Sequence, residues 1–439
     1  MKIRLILATV VLLALVGTLY WSDHRKSADD KKASADTPPQ ILKVDETAIT
    51  GLQIKKKDAE PVALAKNSSG TWQITQPKPL NADQGTVSSA VSTVANLNSE
   101  RVVEEKAADV KQFGLDPAGL EVDISEKDHK AQKLLIGDDT PAGSAIYAML
   151  AGDPRVFTIA SYHKTSIDKS LNDLRDKRLL QISADTVSRL DLIRKKQEIE
   201  FGRNTEEWQI LKPEPSRANS LQVGELLGKL ADAKMDLSES EKDSKEAASA
   251  FARGTVIATA KVTDASGTQE LQIRKDKDIY YGKSSAVEGV YKVSSNLGQA
   301  VDKGVDDFRN KKLFDFGFQE PNKIELHAGS KAYFLSKGGA DWWSNGKKMD
   351  AGGVQDLIAK LRDLAASKFV DSGFANPEIE IMIASDDGKR VEKVSIAKSG
   401  NGYIAKRENE PALYELEGSS VDGFEKAADD IKPATPPKK

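Results

Sequence analysis

The sequence predicts an α+β fold of three tandem repeats, each a mainly antiparallel sheet covered by a helix, behind one N-terminal transmembrane helix. Three observations predict this fold. A tryptophan phrase occurs twice, as "WQITQP" at 72–77 and "WQILKP" at 208–213. A helical apolar pattern occurs three times, and an uncharged apolar stretch lies near the amino terminus. At 439 residues the chain is also too long for one ordinary core.

The helical pattern follows the same kind of residue in each copy. Asp83, Asn219 and Asp350 are residue types that favour a helix N-cap. After each of them, aliphatic residues recur at i, i+3, i+4, i+7 and i+10, which places them on one face of an α-helix. Three such stripes at matching offsets indicate an internal repeat. The stripe residues are Val87, Ala90, Val91, Val94 and Leu97; Val223, Leu226, Leu227, Leu230 and Ala233; and Val354, Leu357, Ile358, Leu361 and Leu364.

Strand-like segments surround each predicted helix. In the second copy, apolar and polar residues alternate in short segments on both sides of the helix. Strands, one helix and strands again, joined by short connections, predict an α+β unit on a mainly antiparallel sheet. The phrase "DLRDKRLL" at 173–180 is repeated as "DFRNKKLF" at 307–314. A tyrosine is expected to close a similar strand in each copy, at Tyr147, Tyr291 and Tyr414.

The repeats and their flanks divide the chain into six predicted segments. They are an N-terminal transmembrane anchor at 1–22, a flexible linker at 23–44, repeat 1 at 45–183, repeat 2 at 184–316, a divergent repeat 3 at 317–431, and a disordered tail at 432–439.

The stretch Leu5–Trp21 carries no charge and is long enough to approach the thickness of a bilayer core. A cleaved signal peptide is the competing interpretation, but "LYWSDH" offers no small-residue cleavage site. Lys2 and Arg4 favour an amino terminus inside the cell, whereas Arg25 and Lys26 oppose it. We expect a single-pass protein of the inner (cytoplasmic) membrane with its body outside the cytoplasm.

The composition excludes several function classes. The 64 basic and 67 acidic side chains are interspersed, so no basic field favours nucleic acid. Cysteine is absent, which excludes disulfides and thiolate metal sites. The histidines His24, His129, His163 and His327 lack metal-ligand spacing, and His163 is expected in a loop. No motif of a hydrolase, nucleotide-binding loop or dinucleotide fold occurs, so no catalytic residue, cofactor or metal is predicted.

An acidic pair, Asp138 and Asp139, allows a cation site. The preferred interpretation is a polar hairpin turn, between a strand that ends near Ile136 and one that starts near Ala145.

The tryptophans are the best candidates for a surface role. Trp72 and Trp208 lie in alternating strands and are predicted to fill the core. Trp342 and Trp343 are adjacent, so in a strand they point to opposite faces and one of them is expected to be exposed. An exposed tryptophan is suited to contact a partner or a sugar. The preferred interpretation is that a repeat junction buries this second tryptophan.

Two Asp–Arg pairs are candidates for a structural role. Asp173 with Arg175, and Asp307 with Arg309, are spaced so that each pair shares one face of a strand. An ion pair that clamps each repeat to the next is the expected role, because an Asp–Arg pair offers no nucleophile or poised base.

The order of these motifs resembles the bacterial family called domain of unknown function 4340. The motifs are W-x-I-x-x-P, the capped helix with its aliphatic face, "GLDP" at 114–117, and the repeated "DLRDKRLL" phrase, behind one membrane anchor. The resemblance spans about residues 45–431. Members of this family are often encoded beside ABC-type transporter subunits, including relatives of those used in gliding motility. The resemblance therefore implies an accessory role in the cell envelope, and it carries over no catalytic residue.

Two hypotheses of different classes follow. The first is a non-enzymatic, membrane-tethered scaffold or accessory subunit of an ABC-type transport complex, the gliding type included, with an ABC-type permease as partner. The second is an extracytoplasmic repeat module that binds a glycan or a peptide. An enzyme is the least favoured class.

Overall fold

The computed structural model describes residues 40–42, 44–128, 130–195, 197–204, 207–237 and 241–435. The chain divides into two compact units between Lys177 and Arg178. The predicted anchor at 1–22 and residues 23–39 of the predicted linker lie outside the described residues. Within the described residues, no helix is both long and apolar enough to span a bilayer.

The first unit contains one antiparallel sheet of nine strands. The strands are β1 Ile49–Lys56, β2 Val62–Lys66, β3 Trp72–Gln76, β4 Leu80–Asn81, β5 Arg101–Glu104, β6 Leu120–Glu126, β7 Ala131–Asp139, β8 Ala145–Leu150 and β9 Val156–Ala160. Their spatial order is β4-β3-β2-β1-β6-β7-β8-β9-β5. The helices are α1 Gln84–Ala95, α2 Ser161–Ile167 and α3 Leu171–Leu174, with short 3-10 turns at Glu46–Ala48 and Lys111–Phe113.

The second unit contains two antiparallel sheets, and the first of these has eight strands. They are β10 Arg189–Arg194, β11 Gln197–Asn204, β12 Glu207–Lys212, β13 Ser216–Arg217, β14 Thr255–Asp264, β15 Gly267–Asp276, β16 Ile279–Ser284 and β17 Tyr291–Val293. The order is β13-β12-β11-β10-β14-β15-β16-β17. The helices are α4 Ser220–Ala231, α5 Glu241–Arg253, α6 Ser295–Val301 and α7 Val305–Phe308.

The other sheet of the second unit has nine strands. They are β18 Lys323–Ala328, β19 Lys331–Gly338, β20 Asp341–Ser344, β21 Lys347–Lys348, β22 Lys368–Val370, β23 Ile379–Ser385, β24 Arg390–Ser399, β25 Gly402–Arg407 and β26 Leu413–Leu416. The order is β21-β20-β19-β18-β23-β24-β25-β26-β22, the same topology as the first sheet. The helices are α8 Ala351–Asp363 and α9 Gly418–Asp429, with a 3-10 turn at Asp386–Gly388.

The three predicted helices begin where their capping residues predict. The carboxylate of Asp83 accepts from Thr86 N at 2.8 Å, and Asp350 and Asn219 cap α8 and α4 in the same way. All the stripe residues are buried, and they pack with strand residues into one core per sheet. The predicted α+β class, with three antiparallel sheets each carrying a helix, is confirmed.

The expectation of one helix in each repeat is incomplete. A second helix follows the last long strand of each sheet, namely α2, α6 and α9. In the second repeat, α5 also stands where the other two repeats have their ninth strand, β5 or β22.

The phrase "DLRDKRLL" at 173–180 and its copy "DFRNKKLF" at 307–314 each connect two repeats. The first half of the phrase is called here the closing half and the second half the opening half. In each repeat a closing half pairs with the short strand that precedes the main helix. The closing bonds run from Asp176 N to Asn81 O (2.8 Å), from Asn310 N to Arg217 O (2.9 Å) and from Ala434 N to Lys348 O (2.9 Å). Residues 432–435, predicted as part of a disordered tail, thus supply the third closing strand, and 436–439 lie outside the described residues.

The opening half of each connector pairs with the segment that follows the main helix of its repeat. The opening bonds run from Ile41 N to Leu97 O (3.2 Å), from Leu179 N to Ala233 O (2.7 Å) and from Leu313 N to Leu364 O (2.9 Å). One phrase therefore completes one repeat and starts the next.

Strand register corrects the predicted equivalence of three tyrosines. Tyr291 pairs with Gly282 and Tyr414 pairs with Ala405 at one position of the repeat. In the first sheet this position holds Phe157, which pairs with Ala148. Tyr147 lies on the preceding strand, so the similarity of "AIY" to "GVY" and "ALY" was misleading.

Candidate functional site

The four tryptophans singled out by the sequence divide into three that are buried and one that is exposed. Trp72, Trp208 and Trp342 are buried in the cores of their sheets. Trp343 points to the opposite side of β20, as its adjacency to Trp342 requires, and is 39% exposed, so the preferred interpretation of burial at a repeat junction is wrong.

Trp343 belongs to the face of the third sheet that points away from the core, called here the open face. In a strand pair, residues directly opposite each other point to the same side, so register identifies the members of this face. Its large apolar side chains are Trp343, Phe334 (43% exposed) and Val391 (51% exposed). Trp343 and Phe334 lie on neighbouring strands, whereas Val391 is four strands away from Trp343 along the same row. Exposed aromatic side chains of this kind are typical of interaction sites.

The open face contains a groove of about 620 Å³. Two cross-strand rows form its floor, and Phe374 and Pro377 line it from the segment before β23. A second cavity of about 400 Å³ shares Phe374 and Lys406 with the first. The floor rows are Glu325, Met382 and Lys393, and His327, Glu380, Ser395 and Lys406.

In the other two sheets, a segment of the chain covers the corresponding side. In the first sheet, Phe113 lies on Tyr147 with ring centroids 4.9 Å apart, and residues 105–115 pack there as a small second core. In the second sheet, α5 packs Phe251 in a cluster with Tyr281. Register makes Tyr147 and Tyr281 equivalent positions.

The third sheet has a much shorter cover. Only residues 371–372 separate β22 from Gly373, whereas nine residues separate β5 from Gly114 in the first sheet. Gly373 lies so close to Ile404 that an added Cβ would come within 2.6 Å of Ile404 Cδ1. The short segment covers Ile404 and leaves the rest of the face accessible.

A group of charged side chains lies on the core side of the third sheet, at the edge where the second repeat meets the third. We call it the junction cluster. Its members are Arg217, Asp315, Arg390, Glu392, Arg407, Glu410 and Tyr414.

Arg217 is the member contributed by the second repeat. Its guanidinium pairs with Asp315 and with Glu410 Oε1 (2.8 Å), and it donates to Tyr414 Oη (3.1 Å) and Lys312 O (2.6 Å). Burial alone would lower the pKa of Arg217, but Asp315, Tyr414 and Glu410 outweigh burial and the net shift is upward. Arg217 therefore stays charged and fixes the second repeat to the third.

Tyr414 completes the cluster. Its hydroxyl donates to Glu410 Oε2 at 2.6 Å. Burial raises the pKa of Tyr414 to about 12, with the Glu410 hydrogen bond adding to the shift and Arg217 opposing it. The phenol is therefore protonated at neutral pH and acts as a fixed hydrogen-bond donor.

The repeats are also recognisable by comparison with known proteins. The family model described as Domain of unknown function (DUF4340) matches residues 72–220 and again residues 208–380. Together the matches span more than half of the chain. The chain belongs to this family. No curated protein and no solved structure matches it significantly.

The two DUF4340 matches begin at Trp72 and Trp208 and each extends into the following repeat. The DUF4340 unit is therefore offset from the structural repeat and contains a complete connector in its middle.

The shared strand face predicted for each Asp–Arg pair at the DUF4340 connectors is wrong, because both aspartates lie in short helices. Asp173 lies in the short helix α3, not in a strand, and accepts from Ser170 N at 2.9 Å in a capping box. Asp307 likewise accepts from Gly304 N at 2.7 Å. Arg309 pairs with Asp306 at 3.1 Å, and its guanidinium carbon lies 5.0 Å from the centre of the Phe369 ring.

Arg175, the remaining predicted clamp residue, follows α3 and has extended backbone, and it forms a bridge with Ala82. The aspartates end up in helices because the Ser170 and Gly304 positions start a turn that strand periodicity does not reveal.

One set of carboxylates in the second sheet has the spacing of a metal site. Asp191, Glu198 and Glu200 bring one oxygen each within 4.8 Å of the others. Arg189 contacts Asp191 (2.9 Å) and Glu200 (3.1 Å), and Lys212 contacts Glu200 (2.9 Å) and Glu198 (3.3 Å). These cations neutralise the carboxylates, so the set is a cross-strand ion-pair network.

The acidic pair Asp138 and Asp139 and the histidine His163 are also functional candidates from the sequence. Asp138 and Asp139 end β7, and the turn to β8 follows them, as the hairpin interpretation predicts. His163 lies in α2 and not in a loop, beside the exposed ring of Tyr162. Burial lowers the pKa of His163 and Glu100 opposes this shift.

Proposed function

We propose that this DUF4340 protein is a non-enzymatic, membrane-tethered protein of the cell envelope. In this proposal it acts as a scaffold or accessory subunit of an ABC-type transport complex. The observation that carries the proposal is the open face, where Trp343, Phe334 and Val391 are exposed on a rigid sheet. Aromatic side chains on a rigid support are suited to bind another protein, because little conformational entropy is lost on binding.

The composition of the open face favours binding over catalysis. Its floor combines aromatic, aliphatic and charged side chains from several strands. The strongest charges nearby belong to the junction cluster, where Arg407 contacts Glu392 (3.1 Å) and Glu410 (2.9 Å). Groups held in such pairs serve architecture, since each is already occupied by its partner.

The proposed tether is the apolar stretch Leu5–Trp21. A flexible linker of about 20 residues reaches roughly 25 Å, so the body would stay near the extracytoplasmic side of the inner membrane. Tethering raises the local concentration of a membrane partner without a new contact. Carbonate-washed membranes should retain the intact protein, and its release by this treatment would contradict the tether.

The partner is tested by co-purification of the full chain from membranes in mild detergent. We expect an ABC-type permease subunit to accompany the wild-type protein. Trp343→Ala should reduce its recovery about tenfold, which corresponds to the loss of one binding anchor. Tyr162→Ala is the matched control, because it removes an aromatic ring that is 64% exposed in the first unit. Recovery that is equal for both variants, or the absence of any membrane partner, would contradict the proposal.

A second candidate function is an extracytoplasmic module that binds a glycan or a peptide. The groove lined by Phe374 and Pro377 favours it, because a concave site with an aromatic side chain is typical of small-ligand binding. Binding of a soluble ligand without any membrane partner would support this candidate over the scaffold.

A further inference from the structure

One carboxylate in the groove lacks the cations that neutralise its equivalent in the first sheet. There, Glu121 pairs with Lys55 at 3.5 Å and with Lys133 at 3.3 Å. By register, Glu121 corresponds to Glu380, which lies on the groove floor. Glu121 and Glu380 lie on equivalent strands, β6 and β23. Their different pairing therefore comes from the residues on the adjacent strands.

The two lysines have different counterparts in the third sheet. His327 occupies the position of Lys55, directly opposite Glu380. Lys393 occupies the position of Lys133, but its ammonium binds Glu408 at 3.1 Å. Glu380 is therefore exposed without an ion-pair partner in the part of the chain that the structure describes.

A lone ammonium lies in the same cross-strand row. Lys406 is separated from Glu380 by Ser395, and it is exposed where the two cavities meet. Among the described residues, Lys406 forms no ion pair. Two strand spacings separate the backbones of Glu380 and Lys406, which corresponds to about 10 Å.

We propose that the groove binds an extended peptide segment of the partner protein. A basic side chain of this segment pairs with Glu380, and an acidic side chain three positions away pairs with Lys406. In a polyproline II conformation, residues three apart point the same way and are separated by about 9 Å, which matches the spacing of the two floor charges. This inference rests on the proposed function, since it names what the partner presents to the open face.

The groove lining fits such a segment. Phe374 and Pro377 offer an apolar flank of the kind that packs against extended peptides. Ser395 is small enough to let a backbone approach between the two charges. A neutral sugar would desolvate Glu380 and Lys406 without pairing them, which is unfavourable. The charge pattern therefore selects a peptide over a glycan.

The test uses the full chain in mild detergent and labelled peptides with a Gly-Ala-Pro background. Each peptide carries one Lys and one Glu, separated by one to five positions, and binding is measured by fluorescence anisotropy. We expect the tightest binding at a separation of three. Glu380→Lys or Lys406→Glu should weaken it by about tenfold or more, because each variant places like charges together. Lys398→Glu, an exposed change outside the groove, is the matched control.

The double variant Glu380→Lys/Lys406→Glu keeps both charges and exchanges their positions. It should restore binding, because the peptide can bind in the opposite direction. Damage to the fold would not be repaired by adding the second substitution. Binding that does not depend on peptide spacing or on the two floor charges would overturn the inference, as would chitotetraose binding that competes with the peptide.

Failure of this inference can be separated from failure of the proposed function. If a membrane partner is lost with Trp343→Ala but retained with both single charge reversals, the scaffold stands and the peptide site is wrong. If no partner accompanies the wild-type chain, the proposed function itself fails.

Discussion

The second and third repeats use different side chains to hydrogen-bond the backbone of the connector that opens each of them. Each repeat opens with a connector whose peptide groups need hydrogen-bond partners. In the second repeat the partners are neutral. Gln269 Oε1 accepts from Gln181 N at 2.7 Å, and the Ser284 hydroxyl donates to Leu179 O.

In the third repeat the equivalent partners are charged. Glu392 Oε1 accepts from Asp315 N at 2.9 Å, and Arg407 donates to Leu313 O. Register places Glu392 where the second repeat has Gln269, and Arg407 where it has Ser284. The fold thus requires the hydrogen bonds and not the charges.

The charges at the third opening also contact the second repeat, which belongs to the same compact unit. They form the junction cluster with Arg217, which belongs to the edge strand of the second repeat. Buried charges of this kind add specificity more than stability, because desolvation offsets much of their attraction. The comparison therefore suggests that this cluster selects how the third repeat docks on the second.

The largest expected loss of stability comes from substitutions in the buried helix stripe, which the two repeats share. Leu227 and Ile358 occupy the same stripe position and are fully buried. Leu227→Asp and Ile358→Asp should each cost about 4 kcal/mol or more, because each buries an unpaired charge. Hydrogen exchange of the two cores measures the loss repeat by repeat. Lys360→Asp, on the exposed side of α8, should stay within about 0.5 kcal/mol. Equal losses at core and surface would contradict the repeat equivalence.

The next largest loss of stability is expected at the position where the two repeats differ, which holds Arg407 in the third and Ser284 in the second. Arg407→Ser should cost about 3–5 kcal/mol, because Glu392 is left buried without its nearest cation. Ser284→Ala at the equivalent position should cost only about 2 kcal/mol, because its hydroxyl makes two neutral hydrogen bonds, one to Leu179 O and one from Ala286 N. Urea unfolding followed by hydrogen exchange gives both values.

A double variant sharpens this contrast. Glu392→Gln/Arg407→Ser installs the chemistry of the second repeat in the third. We expect it to be more stable than Arg407→Ser alone, because the unpaired carboxylate is gone. A double variant less stable than the single one would show that the charges are indispensable to the opening itself.

The smallest expected effect on the free energy of unfolding appears at alkaline pH. The pKa of Tyr414 is raised to about 12, so the unfolded chain releases this proton at lower pH than the folded chain does. Stability is therefore lost as pH rises from about 10 to 12, by roughly 2–3 kcal/mol at the upper limit. Tyr414→Phe should flatten this decline in urea titrations at high pH.

Features that depend on local pattern could be predicted from the sequence. The helix stripes, their capping residues and the buried tryptophans follow from side-chain periodicity and capping chemistry, and the structure confirms them. The opposite orientation of Trp342 and Trp343 follows from their adjacency in a strand, but the exposure of Trp343 does not. These properties need no knowledge of which strands are neighbours.

Features that depend on strand order could not be predicted. The junction cluster joins Arg217, Asp315 and Glu410, which are far apart in the sequence and meet only in the folded second unit. The groove arises because a cover segment is shorter in one repeat than in another. The shared strand face expected of Asp173 and Arg175 is wrong for a different reason, since a capping turn places Asp173 in a helix.

The two-sided connectors have a consequence for how such proteins can change in length. Residues 40–42 form an opening half before the first repeat, and residues 432–434 form a closing half after the third. An internal connector contains both halves in one segment. A duplication that starts and stops inside "DLRDKRLL", between its halves, would insert a complete repeat and leave every joint in register. A duplication that starts at the first long strand would instead leave an opening segment without its partner. We therefore expect relatives of this chain to gain or lose copies by recombination within the connector.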